Sequence, residues 1–385
     1  MQIERSTLDL RYDSAKLKIS ILHINTERTW RGGEQQTLYL LQVLQKQGIF
    51  CHLVCQPDSP MEQKAHEAGI AVFPVSMRGE VDPMACRRIR KIIRIGKYNI
   101  LHSHTSHAHT LAFIASIGCR ICRLVTRRVD FSIFRHSFLR LSGIKYRHMA
   151  DYYIAISRKI KEVMVADGIA AERIFVVHSG VDLQRFASVS GEHLANEFHL
   201  TPDEKVVINV AHLAGHKGQQ FLVRAIPRVV REIPQVRFFI VGQGELLAEL
   251  KALAASLGIT RELVFTGFRN DVGAFYKIAD LFVMSSVQEG LGTAVLDALA
   301  EGKAVVATDS GGIPEIIRDG ETGRLVEPAN PEALAQGIID VLRHPLPAAK
   351  MADRGRVLVQ NQFSIDAMAE NNLAVYRMLL STEHS

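Results

Sequence analysis

Glu289-Gly290-Leu291-Gly292-Thr293 brings a carboxylate and two glycines into one short turn, and Asp297 follows eight residues after Glu289. The apolar run before it, Ala279 to Met284, reads as a buried strand. Thr293 to Ala300 reads as a helix with Val295, Leu296 and Leu299 on its inner side. Gly290 and Gly292 let the backbone pass close to a ligand. The first amides of a helix have no partner within it, and the helix dipole adds partial positive charge there. A strand, a glycine turn and a helix therefore predict an anion site, and phosphate is the usual anion. Glu289 and Asp297 would flank it, a carboxylate at each end of a ligand-sized span.

Two further clusters could do chemistry. His102, His104, His107 and His109 crowd one strand end and the turn after it. Strand alternation is expected to separate His102 from His104, so this cluster is not read as a metal site. Arg127-Arg128-Val129-Asp130 ends another strand. Guanidinium forks there suit phosphate or carboxylate on a ligand, with Asp130 holding a hydroxyl. No Ser-His-Asp or Cys-His arrangement and no Walker loop accompanies these groups.

The elements that must position them alternate. Strands are predicted at Lys18–Ile24, His52–Cys55, Ala71–Val75, Ile100–His104, Arg123–Thr126, Tyr152–Ile156 and Arg173–Val177, with helices between several of them. The stretch Gly191 to Pro202 is polar and broken and reads as a boundary. A second series starts at Val206–Val210 and continues through Arg237–Val241, Leu263–Phe265, the strand before Glu289 and Ala304–Ala307. Helices are predicted at Pro331–Arg343 and Ile365–Leu380. The alternation indicates two doubly wound parallel sheets, each with helices on both faces. Ligands in such folds bind at the carboxyl ends of the strands, which places the site in the cleft between the halves.

Composition agrees with this reading. With 385 residues, 47% hydrophobic and 22% charged, the chain has an ordinary globular make-up and length for two domains. No apolar run approaches the ~18 residues that span a bilayer. The first eighteen residues carry charge throughout and do not read as a secretory signal, so a cytoplasmic location is expected. Five cysteines give no disulfide framework, and Cys119-x-x-Cys122 lacks the second ligand pair of a zinc site. The net charge of +6 is uneven: residues 81–150 carry fourteen basic and two acidic side chains, so this stretch is +12 and the remainder −6. Such a patch suits phosphate-bearing partners or an anionic membrane surface, and no nucleic-acid motif accompanies it.

Taken together the chain resembles a family 4 glycosyltransferase of the GT-B architecture. The family signature, a Glu, seven residues and a second acid, stands here as Glu289 to Asp297, with Asp in place of the second Glu. Gly32-Gly33, His102-Ser103-His104, Ser179-Gly180-Val181-Asp182 with Phe186, Lys217-Gly218, Gly242-Gln243-Gly244, Gly267-Phe268 and Gly311-Gly312-Ile313-Pro314-Glu315 match in order over residues 18–380. The resemblance implies two Rossmann-like domains facing a central cleft: residues 1–190 on the acceptor side, 191–362 on the nucleotide-sugar side, and a C-terminal helix, 363–385, returning to the first domain. It implies sugar transfer from a nucleotide-sugar, commonly a UDP-sugar, with retention and without a required metal or other cofactor. It also implies roles. Glu289 contacts the donor sugar, Asp297 grips the ribose hydroxyls, and the amides of Leu291, Gly292 and Thr293 with Gly290 form the phosphate cradle. Lys217 neutralises the leaving pyrophosphate, and His212 stands where the family usually has an Arg. His104 faces the donor sugar, Gly32 and Gly33 approach the donor phosphate, and Gly242, Phe268 and Arg269 complete the donor side. Arg127, Arg128 and Asp130 fall on the acceptor side. The expected acceptor is a glycan or a lipid-linked sugar of lipopolysaccharide or other envelope polysaccharide synthesis, reached at the inner face of the cytoplasmic membrane. Alternative readings are a nucleotide-sugar epimerase of the same architecture and a non-catalytic binding homologue.

Overall fold

The computed structural model describes residues 19–129 and 146–382. Strands β1 (Ser20–Ile24), β2 (Phe50–Cys55), β3 (Val72–Pro74), β4 (Ile100–Ser103), β5 (Cys122–Arg127), β6 (Tyr152–Ala155) and β7 (Ile174–Val176) form one sheet in the order β3-β2-β1-β4-β5-β6-β7. Strands β8 (Lys205–Val210), β9 (Val236–Val241), β10 (Leu263–Gly267), β11 (Leu281–Met284), β12 (Ala304–Thr308) and β13 (Arg324–Val326) form a second, in the order β10-β9-β8-β11-β12-β13. The named strand pairs are parallel in both sheets. The central strands β1, β4, β11 and β12 are buried along their whole length, as parallel strands covered by helices must be. The doubly wound plan thus occurs twice in the chain.

Each sheet reverses its strand order between two neighbours, β1 and β4 in the first and β8 and β11 in the second. Loops leaving these strands diverge to opposite faces and open a crevice at their carboxyl ends. The loop after β1 leads into helix Gly32–Lys46, which opens with Gly32 and Gly33, and β4 leads into His104. The loop after β8 carries His212 and Lys217, and β11 leads into Glu289. The candidate residues therefore fall at equivalent points of two similar halves.

The halves are joined by packing as well as by chain. One apolar cluster runs from Ile160 and Met164 in the first half to Leu291 and Ile313 in the second. The helix Ile365–Thr382 crosses back, and its Met368, Ala369, Leu373 and Tyr376 enter the core beneath helix Gly32–Lys46. The crossing is pinned by Val181, whose amide donates to Phe363 O and whose carbonyl accepts from the Ile365 amide.

Two segments differ from the sequence reading. The boundary stretch contains a short helix, Glu192–Glu197, that buries Leu194. A long helix, Pro345–Gln362, occupies a stretch to which the sequence reading assigned no element. Pro345 and Pro347 sit in its first turn, where an amide would have no partner within the helix.

Candidate active site

The turn after β11 leads directly into helix Thr293–Ala300, and Gly292 at its N-cap has φ +95°, a left-handed conformation open to glycine. Gly290 is constrained by space instead: a Cβ there would overlap the carbonyl oxygen of Arg128 from the first half. Glu289 Oε2 accepts hydrogen bonds from Lys217 Nζ at 2.7 Å and from Ser286 Oγ at 3.0 Å. The Lys217 side chain is 19% exposed and that of Glu289 11%, so the pair faces a narrow space rather than bulk water. Lys217 ends a single helical turn, Gly215–Lys217, and its carbonyl accepts from Ser285 Oγ. Two neighbouring loops are thereby held together beneath the charges.

A cavity of about 460 Å³ opens over this pair and is bounded by Lys217, Glu289, Gly292, Thr293, His212 and Arg31. The helix N-terminus lies in its wall, so a cation, a helix dipole and a carboxylate meet in one space. An anion entering it would compete with Glu289 for the ammonium. An ion pair with access to solvent is weak enough to be exchanged for a ligand phosphate.

A second cavity of about 380 Å³ adjoins the first and shares Arg31, Gly32, His212, Thr293 and Ala294 with it. Asp297 lines it, together with Gly242, Phe268, Tyr39 and Tyr276. Burial pushes the Asp297 carboxyl up to about 6, against the opposing pull of Arg185. Arg185 Nη1 lies 3.1 Å from Asp297 Oδ2 and also borders the cavity. Arg185 follows Ser179-Gly180-Val181-Asp182 in the first half, and sequence reasoning did not single it out. Its signal would have been an arginine directly before the matched Phe186. Phe268 is 65% exposed, an aromatic face free to stack on a planar group.

Two donor-side residues are less available than the sequence suggested. The Arg269 guanidinium borders the second cavity but is held by both oxygens of Glu197 and both of Asp271. His212 borders both cavities, and its Nε2 lies 3.3 Å from the exposed Glu245 carboxylate.

The first half faces this wall through its glycine turn. A Cβ on Gly32 would lie 3.8 Å from Thr293 Oγ1, and one on Gly33 would lie 3.4 Å from Arg128 Cδ. Arg128 is half-buried, and desolvation pulls its guanidinium down to about 10 despite Glu34 nearby. Arg127 departs from the expectation of a cleft-facing acceptor group. Its guanidinium turns inward, with Nη1 3.6 Å from Asp167 Oδ2 and both side chains almost fully buried. Arg127 is the last residue of β5 and its side chain lies on the buried side of the sheet, whereas Arg128 stands just past the strand. Asp130 lies outside the described residues.

His104 requires a correction to the expected separation of the histidines. Residues two apart on a strand share a face, so His102 and His104 come together, their ring centroids 4.2 Å apart. His23 on β1 is the register partner of His102 and joins them. All three rings are buried, and burial lowers each well below the usual histidine range. His104 borders neither cavity, and the charge of Arg128 acts on it. One nitrogen from each ring lies within 4.8 Å of the others, close enough to consider a metal ion. Both nitrogens of His102 are already hydrogen-bonded, to Tyr376 OH and Thr126 Oγ1, each at 2.7 Å. The set therefore fits a ligand triad poorly.

Known proteins share this layout. Residues 30–185 match the family model described as Glycosyltransferase Family 4, and residues 192–357 match that described as Glycosyl transferases group 1. A GDP-mannose-dependent alpha-(1-6)-phosphatidylinositol monomannoside mannosyltransferase of Mycolicibacterium smegmatis is 30% identical over 292 residues, 71% of this chain and 75% of that protein. The chain belongs to the family 4 glycosyltransferases. This glycosyltransferase is also 23% identical over 335 residues to a UDP-Gal:alpha-D-GlcNAc-diphosphoundecaprenol alpha-1,3-galactosyltransferase of Escherichia coli, covering 82% of this chain and 85% of that one. Its fold is the GT-B fold. The crystal structure of Anabaena Alr3699/HepE in complex with UDP and glucose superposes with a TM-score of 0.82 at 20% identity, over 93% of this chain and 99% of that one.

Proposed function

We propose that this glycosyltransferase moves a sugar from a UDP-sugar to a glycan or lipid-linked acceptor, with retention at the anomeric carbon and no metal. The observation that carries this reading is the Lys217–Glu289 pair at the N-terminus of helix Thr293–Ala300, with Asp297 in the adjoining cavity. The pyrophosphate lies on the helix N-terminus and takes the Lys217 ammonium from Glu289. Asp297 accepts hydrogen bonds from the ribose hydroxyls, and Phe268 stacks on the base. Glu289, released, stands beside the donor sugar, where its charge opposes the positive charge developing at the anomeric carbon. The bond from that carbon to the phosphate oxygen breaks and the acceptor oxygen bonds on the same face. The leaving phosphate takes the acceptor proton. Lys217 supplies the charge that a metal ion would otherwise bring to the phosphate. Transfer assayed with and without EDTA, with product anomers read by NMR, tests these statements together. An inverted product or a glycosyl group trapped on Glu289 would sink the same-face mechanism. A new isomer of the donor formed without acceptor would instead indicate an epimerase.

We further infer that the enzyme works against the inner face of the cytoplasmic membrane in envelope polysaccharide synthesis. No helix among the described residues is long and apolar enough to cross a membrane. Support comes from helix Pro83–Gly96, which holds no acidic side chain and buries Ala85, Cys86, Ile89 and Ile93. Its outer face exposes Arg87, Arg88, Lys91 and Arg94 beside Met84 and Ile95, which are 65% and 71% exposed. Cations flanking exposed apolar groups suit an anionic lipid surface. Two relatives named above act, by their names, on lipid-linked acceptors. Flotation with liposomes tests the idea: retention on anionic but not neutral vesicles is expected, reversed by Arg88→Glu with Lys91→Glu. Equal recovery on both vesicle types would remove the membrane.

A further inference from the structure

The histidine cluster holds a hydrogen bond that the charged pocket does not use. His23 Nδ1 and His104 Nε2 face each other at 2.9 Å, with ring planes 15° apart and centroids 5.2 Å apart. Near-parallel planes with the facing nitrogens so close put the rings edge to edge, joined by an N–H···N hydrogen bond. Metal ligands would instead aim their lone pairs at a common point. The outer nitrogens, His23 Nε2 and His104 Nδ1, are buried and have no protein partner among the described residues. Both imidazoles are neutral at physiological pH, because burial holds them far below the usual range.

A neutral imidazole carries one proton on two nitrogens. If His104 Nε2–H donates, then His104 Nδ1 shows a lone pair and His23 is protonated on Nε2. If His23 Nδ1–H donates, then His104 Nδ1 carries a proton and His23 Nε2 shows the lone pair. In the neutral pair, which ring donates thus fixes whether the outer nitrogen of His104 is an acceptor or a donor, and exchange between the two states moves the outer proton between His23 Nε2 and His104 Nδ1 as well as the bridging one. We propose that His23 is a positioning residue that sets the tautomer of His104, in a stack anchored by Tyr376 through His102. This rests on the reading that His104 serves the sugar transfer. The anchor is specific. Tyr376 belongs to the C-terminal helix, is fully buried, and reaches His102 Nδ1 at 2.7 Å, while Thr126 holds the other nitrogen. The His102 ring then lies 4.2 Å from that of His104 and limits its rotation. The terminal helix thereby braces, through His102, a buried residue behind the cleft wall.

The test is ¹⁵N NMR of histidine-labelled full-length enzyme, which distinguishes protonated from bare ring nitrogens. His23 and His104 are expected to share the same tautomer, with a scalar coupling across the N–H···N bond. His23→Leu should abolish the coupling, leave His104 in mixed tautomers and lower kcat about tenfold with little change in donor KM. His23→Asn places an amide near the original Nδ1 and should restore most of kcat. Opposite tautomers in the wild type, absence of the coupling, or an unchanged His104 spectrum in a folded His23→Leu protein would each overturn the proposal. Should the coupling stand while His104→Ala retains full turnover, the sugar-transfer role of His104 falls and the tautomer control of His104 by His23 survives.

Discussion

The two walls of the cleft are built on the same strand plan and differ in chemistry. On the second-half wall, Lys217 pairs with Glu289, and Asp297 pairs with Arg185 reaching over from the first half, each pair at the edge of a cavity. On the first-half wall, the equivalent strand ends carry three neutral imidazoles, sealed from solvent and bonded to each other and to hydroxyls. The contrast follows from what each wall must meet. On the proposed reading the second wall meets phosphate and ribose, which call for full charges that can exchange partners, and its charges are paired at cavity edges. The first wall holds its imidazoles uncharged, and the direction of the His23–His104 hydrogen bond fixes the tautomer of both rings. The contrast also separates two kinds of arginine. Arg185 can leave Asp297 for a ligand, whereas Arg127 is locked beside Asp167.

The largest expected effect falls on the charged wall. Lys217→Ala should lower kcat by about 10²–10³-fold, because the leaving phosphate loses its cation, with the melting temperature nearly unchanged. A comparable loss of folding stability in that variant would make Lys217 structural. Next, Arg127→Met should destabilise the fold by about 3 kcal/mol, since it removes the cation beside a buried carboxylate, and acceptor KM should not move in the folded fraction. A raised acceptor KM at unchanged melting temperature would return Arg127 to the cleft and erase the distinction from Arg185. A smaller effect, about tenfold in UDP affinity, is expected for Asp297→Asn. Burial holds the Asp297 carboxyl up at about 6, and in the proposed donor site its ionised form accepts from the ribose hydroxyls. Wild-type UDP affinity should therefore hold above this pH and weaken as pH falls through it, and the variant should lose that edge in calorimetric titrations. The smallest effect belongs to Arg269→Ala. Its guanidinium is occupied by Glu197 and Asp271, so UDP affinity should change less than about threefold.

Much of this was legible in the sequence. The strand before Glu289, the helix Thr293–Ala300 and the helix Pro331–Arg343 follow from apolar periodicity and turn residues, which are local signals. The doubly wound plan follows from their alternation. What escaped depends on which strands become neighbours. His23 and His102 lie far apart in the chain, and only the β1–β4 register makes them partners. Alternation, applied to His102 and His104, should have placed them on one face. Arg185 reaches Asp297 across the cleft, a contact that no spacing within either half encodes. Arg127 and Arg128 look alike in sequence, and the end of β5 between them separates the one that turns inward from the one that does not.

The most direct test of the donor site is calorimetric titration of UDP, GDP and ADP into the wild type, Lys217→Ala and Asp297→Asn. One UDP site per chain is expected, weakened in both variants, with GDP and ADP binding more weakly. UDP binding unaltered in both variants, or none by any of the three nucleotides, would contradict the assignment of the donor site to the second half.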